Sequence, residues 1–488
     1  PLFDETHFYS TPWPDDHRTD PDGTVTFEGF PNPGAIPLIE SYFAFGEEQV
    51  GWGTNSGVYL TLEGAVDPSL LPSPAESMVE GSAIQLVDID PYSPYFGEHI
   101  PVRWHEADVQ TAYQLPGMFI VAPLAGFPLR PATRYALLLT TDGFQANDDF
   151  QKVFEPGNPR YELWNPVVPA LPLLGLDKKD IAVGTVFTTT DPLADMKKLA
   201  RFVQVRVGPP DLDRELEYLE TFEDYTAYRT HYPSPVFTHG QRPYLSGGGN
   251  FLYDAEGDPV ISDFDDMRIA VCVPNGAEMP EAGWPVVIYQ HGTGGYYRGL
   301  CDSARDLEVG RRLTAGGMVV LGIDQPLHGP RAGTGQTSDL ANFNILNPDS
   351  GTTNFLQGAV DALYLARSLS RRTVHMRTPE GEPILLDPER ITFMGHSQGG
   401  MTGAIASAFW AGDVQASLLS GAGGILSITI VERDDIVDFG QLVRQVGRFA
   451  PDEDVYELHP IIGLIQMLAE RTDMVNYAPY WYSQPLAF

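Results

Sequence analysis

Over the first 190 residues the apolar positions come in short runs, each broken by proline or glycine. Residues 57–62, 82–89 and 118–123 are such β-prone runs, and a further one, 134–140, follows the turn segment Gly126-Phe127-Pro128-Leu129-Arg130-Pro131. Short strands between turn signals predict an all-β, sandwich-like domain over residues 1–190. The period then changes. Met196, Leu199, Ala200 and Val203 recur at helical spacing after Asp191-Pro192, which predicts a helix over 191–207. With a strand-like piece at 225–232 and the loop Ser246-Gly247-Gly248-Gly249-Asn250, residues 191–250 read as a connecting helix and linker. Glu256-Gly257 between two short β-prone pieces predicts a hairpin.

From residue 251 onward, strand and helix patterns alternate. Residues 267–274 and 284–290 are apolar strands, 303–315 a helix, and 318–324 a strand. Residues 354–369 form an amphipathic helix with Leu356, Ala359, Val360, Leu363 and Leu365 on its stripe. A strand at 391–394, a helix at 398–410 and a strand at 416–419 follow. Wholly apolar strands alternating with helices predict a mostly parallel sheet covered on both faces, occupying residues 251–488.

Composition narrows the function classes. The 488 residues carry 30 Lys and Arg against 65 Asp and Glu, a formal charge of −35. A surface that tracks phosphates needs clustered positive charge, so nucleic acid is not an expected partner, nor is an anionic membrane. With 43% hydrophobic and 11% aromatic residues the chain is too apolar to stay disordered. It starts at Pro1, shows no basic-then-apolar leader and has no apolar run of bilayer length, which reads as a processed, soluble chain. Cys272 and Cys301, the two cysteines, suit either one disulfide in an oxidising compartment or two buried thiols.

One stretch carries chemistry. Ile391-Thr392-Phe393-Met394-Gly395-His396-Ser397-Gln398-Gly399-Gly400-Met401 sets G-x-S-x-G between a strand and a helix that opens on small residues. Lifting a serine hydroxyl out of a sheet requires a tight strand-to-helix turn, hence glycines two residues before and after it. A helix starting there also aims its first amides and its positive dipole end at a developing oxyanion. Ser397 is therefore the expected nucleophile and the Gln398 amide one oxyanion donor. The second is expected from the loop His291-Gly292-Thr293-Gly294-Gly295 after strand 284–290, on Thr293 or Gly294.

From about Met267 the chain resembles the α/β-hydrolase superfamily. More narrowly it is similar to bacterial secreted lipases and esterases that carry an Ig-like β-sandwich before the hydrolase domain. The resemblance lies in Gly126 to Thr140, Gln290 to Tyr296, Gly322 to Arg331, the run Phe343-Asn344-Ile345-Leu346-Asn347-Pro348 and the elbow. It implies hydrolysis of carboxylic esters, small or lipid-like, through an acyl-enzyme and without a cofactor. It also implies a secreted, cell-surface or periplasmic location. A peptidase, an amidase or a polyester depolymerase on the same scaffold is the alternative chemistry, and a non-catalytic binding protein on a degenerate scaffold the alternative class.

The triad is incomplete in this reading. The family order is Ser, acid, His, yet of eleven histidines only His459 follows Ser397. An acid would have to be among Asp413, Asp434, Asp435, Asp438, Asp452 and Asp454 or nearby glutamates, and no apolar strand follows 416–431 to present it. Residues 434–449 and 459–471 read instead as amphipathic helices of a cap spanning 432–480. The expectation is a polypeptide cut near Phe488, with the acid and the histidine on a C-terminal segment or second chain. His459 as the base is the competing assignment, and a helix-start residue before Pro460 its structural one. His396 is expected to pack, His328 to shape the pocket wall, and His291 to anchor the oxyanion loop. No metal is expected. Calcium is left open by Asp20-Pro21-Asp22-Gly23 and Asp263-Phe264-Asp265-Asp266, which suit turns better.

Overall fold

In the computed structural model, residues 7–483 are described apart from 63, 65, 108, 303–307, 334–338 and 435–437. Two units segregate: Pro1–Pro192 with Gly424–Arg471, and Leu193–Gly423 with Thr472–Phe488.

In the first unit the short β-prone runs become strands β1 (Val58–Thr61), β2 (Ile84–Asp88), β3 (His99–Ile100), β4 (Val102–Ala107), β5 (Met118–Pro123), β6 (Arg134–Thr140) and β7 (Ile181–Thr188). They form two antiparallel sheets, ordered β1-β5-β4 and β3-β2-β6-β7. Every residue of β2 and β5 is buried, so these strands are covered on both faces. The cover is partly helical, which corrects the expectation of an all-β domain. Pro37–Gly46 and short turns of helix between Asp148 and Leu174 join the strands.

The same core takes in Val443, Phe449, Ile461, Ile462, Met467 and Leu468. The helices Phe439–Val446 and Pro460–Ala469, expected as a cap on the hydrolase half, thus bury their apolar stripes in the first unit, and Leu426–Glu432, which no expectation covered, packs there as well. Polar ties reinforce this. The buried Glu470 carboxylate accepts from the Asn55 amide and side chain and from the Thr54 hydroxyl, each at 2.7 Å. The Tyr113 hydroxyl donates to Gly447 O at 2.5 Å.

The second unit holds β8 (Glu217–Thr221), β9 (Tyr225–Val236), β10 (Asp263–Pro274), β11 (Trp284–Gln290), β12 (Val319–Ile323), β13 (Val374–Arg377), β14 (Pro383–His396) and β15 (Ala416–Ser420). The order is β8-β9-β10-β12-β11-β14, with β13 pairing the first half of β14 and β15 the second. β11, β12, β15 and the second half of β14 run parallel, whereas β8, β9, β10 and β12 are joined antiparallel. The sheet is therefore mixed rather than mostly parallel. Residues 193–250 belong to it and are not a linker: Met196, Leu199 and Val203 of the helix Ala194–Val205 share its core, and β9 pairs with β10 along twelve residues. Among the described residues no strand joins the sheet after β15, and no helix is long and apolar enough to cross a membrane.

The helix Pro348–Ser370 is buried on nearly all sides from Ser350 onward, more than its apolar stripe predicts. Its polar residues are accommodated by partners. Arg331, itself buried, lies 2.7 Å from Asp361 and 2.8 Å from Asp265, and Asp265 also pairs with Arg242. Burial alone would raise Asp265, but the attraction of Arg331 and the hydrogen bond from Arg242 hold its carboxyl below the usual range. Asp265 is thus an ion-pair member and not a free calcium ligand. Asp22 in the other acidic run accepts from the Thr24 hydroxyl at 2.7 Å and from its amide at 3.1 Å, a turn arrangement.

Cys272 in β10 and Cys301, left open by the sequence, are joined as a disulfide with a Cα–Cα distance of 6.3 Å and a sequence separation of 29. Closing a loop of that length removes roughly 3–4 kcal/mol of entropy from the unfolded chain in the chain-entropy account. The double variant Cys272→Ala/Cys301→Ala is expected to lose about 3 kcal/mol of unfolding free energy, measured in urea. An unchanged midpoint and slope would show that the crosslink does not constrain the unfolded state.

Candidate functional site

β14 ends at His396 and a helix begins at Gln398 (Gln398–Ser407), so the whole reversal falls on Ser397 at φ 51°, ψ −115°. A non-glycine residue held there costs on the order of 1–3 kcal/mol and persists only where its surroundings over-determine it. Here they do. The Ser397 amide donates to Ser420 O of β15 at 2.8 Å, and Ser397 O accepts from Met401 N at 3.0 Å. The flanking glycines are required for space: a Cβ on Gly395 would lie 2.0 Å from Gly399 O, and one on Gly399 would lie 2.0 Å from Gln290 O.

That contact sets the elbow against the end of β11, where the chain enters His291-Gly292-Thr293-Gly294-Gly295. A Cβ on Gly292 would lie 2.9 Å from Ser397 Cβ, so this loop runs directly beside the serine. Two histidines hold it. His291 Nε2 accepts from Gln325 N at 3.1 Å, which leaves Nδ1 protonated to donate to Gly292 O at 2.8 Å. His328 Nε2 accepts from Gly294 N at 3.2 Å while Nδ1 donates to Pro326 O at 2.9 Å. The two rings meet edge to face at 5.0 Å. Asp324 secures the onward chain, accepting from Tyr297 N at 3.1 Å and pairing with Arg268 at 2.7 Å.

The expected oxyanion residues are thereby distinguished. The Gln398 amide is the first of its helix and has no intrahelical partner. The Gly294 amide is engaged by His328, whereas the Thr293 amide donates in none of the described hydrogen bonds. Thr293 is tied through its hydroxyl, which donates to Gln398 Oε1 at 3.0 Å. The sequence singled out Thr293 and Gln398 for their amides only. The side-chain bond between them, and the roles of Gln325, Asp324 and Arg268, had no signal in spacing, because these residues lie on different strands and loops.

Among the described residues no side chain hydrogen-bonds the Ser397 hydroxyl. His396 is exposed, with Nδ1 3.3 Å from the Ser420 hydroxyl. His459 has the structural role that the sequence offered against its use as base. It is the N-cap of Pro460–Ala469, buried, with Nδ1 accepting from Ile461 N at 3.2 Å and Nε2 3.1 Å from Glu453 Oε1. Phe449 and Tyr113 flank its ring at 4.5 and 5.8 Å. Of the aspartates considered as triad acid, Asp438 caps a helix and Asp413 accepts from Ser370 Oγ at 2.6 Å, while Asp435 lies outside the described residues. No group of three or more metal-ligating side chains occurs among the described residues.

No family model and no curated protein matches the chain. Solved structures similar to it include an acetyl xylan esterase from Paenibacillus sp. R4, at 17% identity over 57% of this chain and 72% of that one, TM-score 0.34. Acetyl xylan esterase 1 from Thermoanaerobacterium sp. JW/SL YS485 is similar at 16% identity over 58% and 74%, TM-score 0.33. A Pyrobaculum calidifontis esterase is similar at 18% identity over 44% and 59%, TM-score 0.22.

The His459–Glu453 pair titrates in a defined direction. Burial pushes the His459 imidazole below its ordinary value, against the pull of Glu453. Burial would raise Glu453, but the hydrogen bonds from His459, Thr111 and the Ala450 amide together outweigh it and lower the carboxyl. Both folded values lie below the unfolded ones, so the unfolded chain binds more protons and stability falls as pH drops. Urea unfolding is expected to show the histidine part of this loss setting in below about pH 6.5 and the carboxylate part below about pH 4.5. In His459→Gln the first part should vanish; an unchanged slope between pH 7 and 5.5 would contradict the assignment.

Proposed function

We propose that the chain is a serine hydrolase of carboxylic esters with Ser397 as nucleophile. The observation that carries this reading is the serine held at positive φ on a strand-to-helix turn, with an unpaired helix-start amide after it and the Gly292-Thr293 loop beside it. In this mechanism Ser397 Oγ attacks the ester carbonyl as a base takes its proton. The tetrahedral oxyanion is held by the Gln398 and Thr293 amides, the alcohol leaves with a proton returned by the base, and water then hydrolyses the acyl-enzyme. The helix dipole adds to the stabilisation, because negative charge develops at the helix N-terminus.

The base and its acid come, in this reading, from a segment or chain outside the described residues. His291 and His328 spend both ring nitrogens on the backbone and His459 is committed to its own helix, so none is available to activate Ser397. Cap helices with apolar stripes facing a pocket would favour an apolar acyl group. Because those helices bury their stripes in the first unit's core, the substrate is proposed only as a carboxylic ester. The Cys272–Cys301 disulfide favours an oxidising compartment, which supports a secreted or periplasmic location.

The full-length protein should be phosphonylated by a fluorophosphonate probe, with an Oγ–P bond formed as fluoride leaves. Ser397→Ala should abolish labelling and reduce hydrolysis of p-nitrophenyl esters by at least about 10³-fold. A native protein that neither labels nor hydrolyses, or a Ser397→Ala variant that still does, would sink the proposal.

A further inference from the structure

We infer that the Gln398 side chain is a positioning group for the second oxyanion donor: it holds the Thr293 hydroxyl and so orients the Thr293 amide. The inference rests on the reading of Ser397 as nucleophile, and it assigns Gln398 a second role beyond donating its own amide.

The loop is pinned on both sides of Thr293. Gly292 O accepts from His291 Nδ1 at 2.8 Å and from Gly295 N at 2.9 Å, and Gly294 N donates to His328 Nε2 at 3.2 Å. Between these points the residue that carries the unengaged amide is held by one polar tie, Thr293 Oγ1 to Gln398 Oε1 at 3.0 Å. The partner is the residue whose amide opens the helix at the nucleophile, so one side-chain bridge connects the two amides that must converge on a single oxygen. Donors fixed before the charge develops are the ones that stabilise it, and a bridge between them sets their spacing.

The environment of the glutamine argues that this bond is its purpose. Gln398 is buried, and its Nε2 has no hydrogen-bond partner. An unsatisfied buried donor carries a desolvation penalty that a methionine of similar volume would avoid. The polar side chain therefore costs stability where it sits, while its Oε1 accepts from Thr293, whose amide donates in none of the described hydrogen bonds. Gln325, which donates to His291 O at 3.3 Å and to Thr402 Oγ1 at 3.2 Å, backs the same loop from beneath.

The test uses the full-length protein with Thr293→Val, Thr293→Ser, Gln398→Met and the double variant Thr293→Val/Gln398→Met. Valine keeps the branched shape and loses the hydroxyl; serine keeps the hydroxyl. Thr293→Val and Gln398→Met should each lower kcat about tenfold with KM within about twofold, and Thr293→Ser should stay within about threefold of the native rate. The double variant should be no worse than about tenfold, since one bond can be lost only once. Losses that multiply in the double variant, or a Thr293→Val enzyme as fast as the native one, overturn the inference. Hydrogen exchange gives a readout independent of turnover. Amides 292–295 should exchange faster in Thr293→Val and Gln398→Met but not in Thr293→Ser, and unchanged exchange in all three also overturns it. If the native protein does not react with the fluorophosphonate, the nucleophile assignment fails, while the exchange comparison still decides whether the bridge holds the loop.

Discussion

The second unit is organised around a close approach of three pieces of backbone. Gly395 faces Gly399 O, and Gly399 faces Gln290 O, at distances that admit no Cβ at either position. The end of β14, the start of the following helix and the end of β11 are thereby locked into one contact. The left-handed turn at Ser397 survives because this contact, the bond to Ser420 O and the helix leave the residue no other conformation. The site is consequently made by the sheet. The serine stands where β14 stops, and the loop that accompanies it leaves β11 alongside, so the spacing of two parallel strands sets the spacing of the chemistry.

A second constraint works from the other side of the sheet order. Arg331 is buried between Asp265 of β10 and Asp361 of the helix Pro348–Ser370, and that helix also donates from Gln357 to Pro235 O and accepts from Phe237 N at the end of β9. Removing one member of such a buried set leaves an uncompensated charge, at a typical cost of about 3–5 kcal/mol. The set therefore specifies where the helix lies more than it adds net stability. The antiparallel strands β9 and β10 are in this way made part of the same rigid body as β11, β12 and β14.

Much of this architecture was legible in local pattern. The runs that became β5, β6 and β15 match their expected limits closely, and the elbow was placed from five residues, because glycine spacing and strand-helix alternation are local signals. What stayed hidden was partner choice. The stripes of Phe439–Val446 and Pro460–Ala469 showed that each helix has a face to bury, but nothing in a stripe says which core receives it, and the core lies more than 250 residues earlier in the chain. The direction of β10 was hidden for the same reason: an apolar strand buried on both faces reads alike whether its neighbours run with or against it. In the site itself Ser397, Gln398 and the 291–295 loop could be read from spacing, whereas the Thr293–Gln398 bridge could not. Side chains that meet across a sheet end leave no periodicity.

The histidines beside Ser397 bear on the proposed mechanism through what their ring nitrogens already do. A general base must gain and lose a proton at the atom that faces the nucleophile. His291 and His328 lie beside the serine's loop, but each uses its unprotonated nitrogen to accept a backbone amide and its protonated one to donate to a backbone carbonyl. Protonating either ring would turn an acceptor into a donor facing an N–H group and release the loop that carries Thr293. Rigidity of the oxyanion loop and basicity at Ser397 are thus incompatible demands on the same imidazole. The fold meets the first demand with these two residues, so in the proposed mechanism the second falls on a different residue.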